Sequence, residues 1–380
     1  MDASIALILF QDGGVTGAVY ALLAIGLVLV FSVTRVIFIP QGEMVTYGAL
    51  TIAALQVNKF PVVIYLQIVL GLYIFFIEFL SSYKLHRMRL IKNKMPLEPI
   101  QTSGQQGASI NSQFVNKSLG LGFTQFVIYP FSLWFVLLQI EALTSFSELS
   151  ILTQTLLTLL LVAPLGPMLY KSVFEPLSDA TILVLLIVSV ALHLSLMGLG
   201  LWMFGAEGGR SKPLLDLRLD WGSFTMSGQS LFVVLSSAFI MLAFSLFFHY
   251  SMTAKALRAT AINRLGASLM GIKVKRAGQL AFLLAASLGA FSGILIGPIT
   301  TIYYDSGFII GLKGFVGAIL GGLSGYPLAA AGALLVGLME SYISFWVSAY
   351  KEVLVFSLII PVLMWRSFKH PQLLEEDESL

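Results

Sequence analysis

The chain has 380 residues, of which 57% are hydrophobic and 11% are charged, and its formal net charge is +3. A soluble domain has about 45–50% apolar and about 25% charged residues, so water is not the main solvent of this chain. The basic residues fall in loops and do not alternate with aromatics on a helix face, which argues against nucleic acid as a partner. The absence of cysteine excludes disulfides, thiolate zinc sites and cysteine nucleophiles.

Long apolar runs recur along almost the whole chain. A helix needs roughly 20 apolar residues to cross a hydrocarbon layer of about 30 Å. The runs predict an all-α integral membrane protein, a polytopic helical bundle of about 9–11 membrane segments, some of them short or broken. The predicted segments are 15–37, 42–57, 61–83, 123–143, 150–170, 181–204, 230–250, 277–297, 308–323, 326–347 and 352–366. Segments 42–57 and 308–323 hold about 16 residues each, so we expect them to be tilted, broken or re-entrant.

The segments group into regions of different composition. Residues 1–83 form an N-terminal group of membrane segments, 84–122 a polar cytoplasmic loop, and 123–366 the main membrane domain. Within the loop, the polar stretch 101–113 predicts a flexible linker. The acidic cytoplasmic tail, 367–380, is expected to be solvated.

Charge asymmetry between the loops predicts the orientation of the chain. Loop 84–122 carries six basic residues and one acid, and 251–276 carries six basic residues and no acid, whereas 205–228 is balanced. Because short basic loops stay in the cytoplasm, we expect the first two inside and the third outside. Counting all eleven segments as crossings then places the N-terminus outside and the C-terminus inside. No Lys or Arg precedes Arg35, so we expect spanning helices, and not a cleaved signal peptide, to begin insertion.

Glycines recur at four-residue spacing in the last third of the sequence. They form two rows: Gly289, Gly293 and Gly297, then Gly317, Gly321 and Gly325, with Gly322 beside the second. Such rows let helix backbones approach closely in a membrane. They predict helix packing, and they leave open whether the packed helices also form a thin-walled pathway and slide.

Glu43 lies near the cytoplasmic start of its segment, and two further ionisable residues, Lys313 and Glu340, lie inside apolar segments. A charge at that depth costs at least about 2.5–3.5 kcal/mol, so each should face a partner or a cavity. By the helical rise, Lys313 and Glu340 lie roughly 8 and 10 Å below the outer face, which allows an ion pair. Their role is left open between a structural pair and contact with a solute. Glu43 is expected either to interact with a helix N-terminal dipole or to act in gating.

Two enzymatic patterns are incomplete. Residues Gly322 to Gly325 read Gly-Leu-Ser-Gly, a motif of intramembrane serine proteases, but the later histidine that this chemistry needs is only His370, outside the membrane segments. A protease is therefore a remote alternative. No G-x-x-x-x-G-K-[ST] pattern occurs, so the chain does not bind ATP in that way. We expect a non-enzymatic chain without cofactor or metal site, in which any energy from ATP comes from partner subunits.

Three stretches of the sequence resemble the permeases of branched-chain amino acid ABC importers, the LivH/LivM type. They are Gly17 to Gly26 with Gly42-Glu43 and Gly48-Ala49; Arg258, Ala261 and Asn263 with Leu269 to Ile272; and Gly311 to Phe315, through Gly321-Gly322, to Gly332, Gly337 and Glu340. Phe174 to Leu177 resembles a further family segment. Together these pieces cover most of 14–57 and 171–366, and their combination is specific although each is short.

The chain also departs from the family pattern. Residues Phe38 to Gly42 read Phe-Ile-Pro-Gln-Gly where the family usually reads Asn-Phe-Ala-His-Gly, and Leu328 stands where glycine is usual. Residues 84–165 match poorly and form an expansion without an assigned role. The expected solutes therefore extend from branched-chain and other hydrophobic amino acids to related amides, urea and small acids.

The resemblance implies a permease in the bacterial inner membrane that pairs with a second homologous permease, two ABC ATPase subunits and a periplasmic solute-binding protein. It also implies that 251–276 couples to the ATPases through Arg258, Ala261, Asn263, Gly271 and Ile272. The alternative from another class is a self-contained secondary transporter or channel. In that case Lys313 and Glu340 would serve an ion or proton path.

Overall fold

The computed structural model describes residues 3–94, 124–221, 224–323 and 325–369. The predicted linker 101–113, most of the acidic tail, and two residues of the protease-like pattern, Ser324 and His370, lie outside the described residues.

The N-terminal half of the described chain is helical. Its helices are α1 Ala3–Thr34, α2 Gln41–Gln56, α3 Val63–Lys94, α4 Tyr129–Leu143, α5 Ile151–Val162, α6 Leu165–Leu169 and α7 Ile182–Phe204. A π-helical turn, Thr124–Ile128, leads into α4, and a second, Tyr170–Phe174, follows α6. The interruption between α5 and α6 falls at Pro164, which has no N–H to continue the helical ladder.

The C-terminal half adds a short hairpin and eight helices among the described residues. The elements are β1 Arg218–Trp221, β2 Phe224–Ser227, α8 Gly228–Tyr250, α9 Met252–Ile262, α10 Arg264–Leu269, α11 Val274–Ile296, α12 Ser306–Leu320, α13 Tyr326–Trp346, α14 Lys351–Ser357 and α15 Ile359–Lys369. The strands β1 and β2 pair antiparallel. The sequence did not predict this hairpin, because a four-residue strand leaves no long apolar run.

The predicted all-α polytopic fold is confirmed. Within the described ranges, eight helical stretches are long and apolar enough to cross a membrane, and α12 is a shorter apolar helix. The predicted short segments correspond to α2 and α12, with 16 and 15 residues. The last predicted segment is divided between α14 and α15.

Helix α1 forms the centre of the bundle. In its most apolar window 83% of the residues are buried, against 17% for α8, so α8 is peripheral and α1 is enclosed by protein. Helices α13, α11, α12 and α8 pack around it. Close packing against α13 requires glycine, because a Cβ at Gly17 would lie 3.0 Å from the backbone of Leu334.

The predicted limits of the first segment, 15–37, were wrong at both ends. Asp12 and Gly13 lower the local hydropathy, yet the helix includes them because Gly13 packs directly on the backbone of Leu338. At the other end, Arg35 has a φ of 61°, a left-handed conformation that ends the helix. Helix α3 also continues past its predicted end, into the predicted loop, as far as Lys94.

The short helix α2 begins deep in the bundle. The Gln41 side-chain amide donates to the carbonyl of Leu23, in the middle of α1, at 3.0 Å. The preceding Ile39 N–H donates to Ser189 Oγ of α7 at 3.0 Å. The non-helical residues 35–40 therefore find hydrogen-bond partners inside the protein, as irregular backbone in a membrane must. The N-terminal turns of α2 and α12 touch there through Gly42 and Gly307, where neither backbone leaves room for a Cβ.

The first glycine row packs as predicted. A Cβ at Gly289 would lie 2.9 Å from Met44 of α2, and one at Gly293 would overlap the carbonyl oxygen of Val45. A Cβ at Gly297 would lie 2.8 Å from Ser211 in the loop after α7. These contacts allow α11 to lie directly against the short helix α2.

The second row packs only in part. A Cβ at Gly317 would lie 2.5 Å from Ala333 of α13, and one at Gly321 would collide with the same helix. Gly322 lies just after the end of α12, and the packing role expected for it stays a prediction. Its φ of 85° places it in the left-handed position after α12, where the Leu323 N–H bonds the Ala318 carbonyl at 3.0 Å in a Schellman turn.

Candidate functional site

A cluster of charged side chains lies where four helices meet. Lys313 Nζ of α12 is 2.5 Å from Glu340 Oε1 of α13 and 3.0 Å from Glu352 Oε1 of α14. The Tyr20 hydroxyl of α1 donates to Glu340 Oε2 at 2.8 Å. The Lys313 side chain is only 5% exposed. The predicted contact between Lys313 and Glu340 is therefore confirmed, and its part in transport stays a prediction.

The cluster contains more groups than the sequence indicated. Lys351 Nζ lies 3.8 Å from Glu352 Oε1, so two lysines and two glutamates balance in charge. Glu352 Oε2 is buried and accepts no hydrogen bond from the described residues. Glu352 was missed because it starts its predicted segment, where acids are ordinary. Tyr20 gave no signal, since aromatic residues are common in spanning helices.

A cavity of about 360 Å³ adjoins this cluster. Tyr20, Glu340 and Lys351 contribute its polar lining next to the cluster. The other walls come from α1, α11, the connection to α12 and the start of α12. They include apolar side chains, such as Val15, Val19, Ile296, Ile299 and Ile310, and the hydroxyl residues Thr16, Thr300, Thr301 and Ser306. The site thus combines an apolar surface and several hydroxyl groups with one acidic and one basic side chain.

A second buried acid lies at the junction of α2 and α12. Glu43 is fully buried, and its Oε1 is 2.9 Å from His193 Nδ1 of α7. The imidazole stacks on Phe308 of α12, with ring centroids 4.4 Å apart and an angle of 20°. His193 thus packs against an aromatic ring, and the sequence analysis did not predict its proximity to Glu43.

The environment of Glu43 corrects its predicted position. The sequence placed it near the cytoplasmic start of a segment, whereas α2 begins opposite the middle of α1, at Leu23. Neither carboxylate oxygen of Glu43 accepts a well-aligned hydrogen bond from the described residues, so the contact with His193 is one of proximity. Glu43 lies in the first turn of α2, where a helix dipole favours a negative charge, and the choice between a dipole interaction and gating stays a prediction.

The predicted coupling segment, 251–276, folds into the two short helices α9 and α10. Asn263 separates them, and its Oδ1 accepts the Gly266 N–H at 2.7 Å as the N-cap of α10. Arg258 donates to the Phe248 carbonyl of α8 at 2.6 Å, and Arg264 to the Ser178 carbonyl at 3.0 Å. The segment is thus tied to the helix before it and to the turn after the second π-helical stretch.

The sequence predictions identified residues that shape this segment. Gly271 has a φ of 84° and ends α10 in a Schellman turn, in which the Ile272 N–H bonds the Ala267 carbonyl at 3.0 Å. Ala261 packs on the cluster formed by α1, α8, α9 and α11. Ala261 and Ile272 are only partly exposed, so both contribute more to the shape of the segment than to its outer surface.

Other apolar residues of the same segment face outward. Five large side chains are each at least 72% exposed: Met252, Ile262, Leu265, Leu269 and Met270. Leu269 and Met270 belong to a stretch that the sequence analysis identified by resemblance, but the exposed apolar character of the segment was not predicted. Large apolar residues within a basic, polar loop were the available signal, since such residues cost free energy when they face water.

The fold and these sites define a polytopic helical membrane protein with an intramembrane charge cluster and a structured loop on one face. The family described as "Branched-chain amino acid transport system / permease component" matches residues 114–363. The chain belongs to this permease family.

Curated relatives agree with the family match. The chain is 38% identical over 126 residues to the "High-affinity branched-chain amino acid transport system permease protein LivH" of Escherichia coli (strain K12), a match that covers 33% of this chain and 41% of that protein. It is 26% identical over 216 residues to the corresponding permease protein BraD of Pseudomonas aeruginosa, over 55% of this chain and 70% of BraD. The match to LivH thus spans less than half of that protein. No solved structure gives a significant match.

Proposed function

We propose that the chain is the translocating subunit of an ATP-driven importer for branched-chain or other hydrophobic amino acids in a bacterial inner membrane. It works with a second homologous permease, two cytoplasmic ATPase subunits and an external solute-binding protein. The family membership and the descriptions of LivH and BraD support this assignment. Related amides, urea and small acids remain within the class of solutes.

The observation that carries the proposal is the exposed apolar surface of the coupling segment. Ile262, Leu265 and Leu269 lie on the short helices and Met270 directly after the second one, beside basic residues, on the face that charge asymmetry assigns to the cytoplasm. A contact surface that excludes water from these side chains would gain the free energy of their burial, about 25 cal/mol for each Å². A groove on an ATPase is such a surface.

The attachments of the segment supply a route for mechanical coupling. Movement of α9 and α10 would pull on α8 through Arg258 and Phe248, and on α11 through their direct chain connection. Helix α11 packs along both α1 and α2. A displacement driven by closure of the ATPases would therefore reach the glycine-lined centre of the bundle and open a path to one side at a time.

The test is replacement of the apolar side chains. We expect the double variant Leu265→Ser/Leu269→Ser to insert and fold normally, since both residues are exposed, and to lose at least about tenfold in affinity for the ATPase subunits, roughly 1.4 kcal/mol. Solute-stimulated ATP hydrolysis of the reconstituted complex should fall with it. The matched control is Leu143→Ser, a leucine that is 78% exposed at the end of α4.

Two outcomes would contradict the proposal. Unchanged assembly and hydrolysis in the double variant would remove the docking role of this surface. Transport by the purified chain in vesicles without ATPase subunits would instead favour a self-contained transporter or channel.

A further inference from the structure

We propose that the 360 Å³ cavity beside the charge cluster is a transient binding site for a zwitterionic amino acid with an apolar side chain. Glu340 would face the ammonium group and Lys351 the carboxylate. This inference rests on the proposed transport function and assigns a place in the chain to the solute.

The charges of the cavity match those of the solute. The cavity is lined by one acid, Glu340, and one base, Lys351, which belong to different helices. Each oxygen of Glu340 makes one contact, with Lys313 or with Tyr20, and a carboxylate oxygen can accept two hydrogen bonds. Among the described residues, the ion pair of Lys351 is a long contact of 3.8 Å with Glu352, so its ammonium can turn toward an anion.

Charge balance explains how a zwitterion could enter. Lys313, Lys351, Glu340 and Glu352 sum to zero, and a zwitterion adds no net charge. When the solute ammonium binds Glu340, its carboxylate can bind Lys351, so no charge is left without a partner. An amine or an acid alone would leave one, which is costly where water is scarce. The arrangement therefore selects solutes that carry both charges.

Most of the remaining lining fits an aliphatic side chain, although it also includes the hydroxyl residues Thr16, Thr300, Thr301 and Ser306. Val15, Val19, Ile296, Ile299 and Ile310 contribute apolar surface from several elements. Sites for small molecules commonly have volumes of about 300–1,000 Å³, apolar walls and a few placed polar groups. The stretch from Ile296 to Ile310 runs from the end of α11, through the connection, to the start of α12, on the side that the loop charges assign to the exterior. A solute released by an external binding protein would meet this cavity first.

Photolabelling tests the site directly. The chain, purified with its partner subunits and without the binding protein, is irradiated with millimolar photo-leucine, a diazirine analogue, and the labelled peptides are mapped. Label is expected on peptides that contain Val15 to Tyr20 or Ile296 to Ile310. Ile299→Trp, which fills the cavity, should reduce this label roughly tenfold. The control Leu335→Trp changes an exposed leucine of α13 outside the cavity and should not.

Competition experiments test whether the site requires both charges of the solute. Leucine should compete with the probe, whereas isopentylamine and 4-methylpentanoate, which each carry one of the two charges, should compete at least about tenfold more weakly. Lys351→Met should weaken labelling and Lys351→Arg should retain it. Equal competition by all three compounds, label elsewhere in the chain, no label at these peptides, or label unchanged in Ile299→Trp would overturn the inference.

Failure of the inference can be told apart from failure of the proposed function. Solute-stimulated ATP hydrolysis by the wild-type complex with its binding protein reports on the importer assignment alone. If hydrolysis is stimulated and Ile299→Trp still transports leucine at the wild-type rate, the importer stands and the cavity is not its solute site.

Discussion

At the scale of single residues, Lys313 is the one member of the charge cluster that pairs closely with two acids. One buried ammonium faces Glu340 at 2.5 Å and Glu352 at 3.0 Å, and Tyr20 supports the first of these acids. Removing one of the three charged residues should therefore have a different effect on stability from removing another. Removal of the lysine leaves two acids without it, whereas removal of one acid leaves the lysine with the other.

We therefore predict that the two single variants of a double-mutant cycle lose unequal amounts of stability. Lys313→Met should lower the free energy of unfolding by about 3 kcal/mol, toward the lower end of the range for broken buried pairs because Glu352 is partly exposed. Glu340→Gln should lower the free energy of unfolding by less than Lys313→Met does. The double variant should lower it by less than the sum of the two single losses. The measurement is thermal or denaturant unfolding in detergent, with transport assayed in parallel.

Lys351→Met is the control for this cycle. Its ammonium lies 3.8 Å from Glu352 and its side chain is 38% exposed, so we expect a loss of no more than about 1 kcal/mol. Strictly additive losses for Lys313→Met and Glu340→Gln would argue that the two residues do not act as a pair.

Substitutions at Gly271 and Arg258 would change the structure of the coupling segment itself. A bulky residue at Gly271 would be strained by its φ of 84° even without a partner, and nothing lies within 4 Å of the place that its Cβ would occupy. Arg258→Lys would alter the hydrogen bond to Phe248 within this chain. Loss of coupling in either variant would therefore not identify an ATPase contact, which is why the exposed leucines are the better probes.

At the scale of elements, the short helix α2 depends on the glycines of α11. The two helices lie so close that Gly293 contacts the backbone of Val45. Neither lipid nor water can fill such an interface, so the contact is set by backbone shape and by dispersion forces. Tyr47 adds a hydrogen bond of 2.7 Å from its hydroxyl to the Leu196 carbonyl of α7. This packing holds the N-terminus of α2, and with it Glu43, inside the bundle.

We predict that Gly293→Ala separates α2 from α11. Its methyl group would overlap the Val45 carbonyl, and overpacking of this kind typically costs about 1–3 kcal/mol. Gly198→Ala in α7 is a matched control, since nothing lies within 4 Å of its added Cβ, and it should be neutral or stabilising by up to about 1 kcal/mol. Unfolding temperatures of the two variants in one detergent provide the measurement. Equal stability of the two would show that the interface tolerates a methyl group.

At the scale of the whole molecule, the structure and the loop charges agree on two faces. The loop after α7 pairs with the connection between α11 and α12, through reciprocal hydrogen bonds of Gly209 and Ile302 at 2.8 and 2.9 Å. On the other face, Arg264 of the coupling segment bonds Ser178. Loops assigned to the same side of the membrane are thus in contact with each other.

Labelling of single cysteines tests this orientation, because the chain has none of its own. A membrane-impermeant maleimide added to intact cells should modify Glu207→Cys and not Ser268→Cys, and after permeabilisation both should react. Both positions are exposed, so accessibility does not confound the comparison. Modification of Ser268→Cys from the outer face would invert the proposed orientation and remove the basis for ATPase docking.

The properties that depend on local composition could be predicted from the amino-acid sequence. Apolar runs indicated the membrane class and most spans, four-residue glycine spacing indicated the close face of α11, and the depths of Lys313 and Glu340 allowed their pairing. These signals follow from hydrocarbon thickness and helical geometry, which act within one segment or between two segments of known depth.

The convergence of distant residues emerged only from the packed bundle. Tyr20 meets Glu340, and Ile39 meets Ser189, across separations of 320 and 150 residues. Such contacts depend on the order in which helices pack around α1, and no periodicity in the sequence encodes that order. The same holds for the pairing of Glu43 with His193 and for the cavity beside Lys351. Each is formed by side chains that are close in space but belong to different segments of the chain.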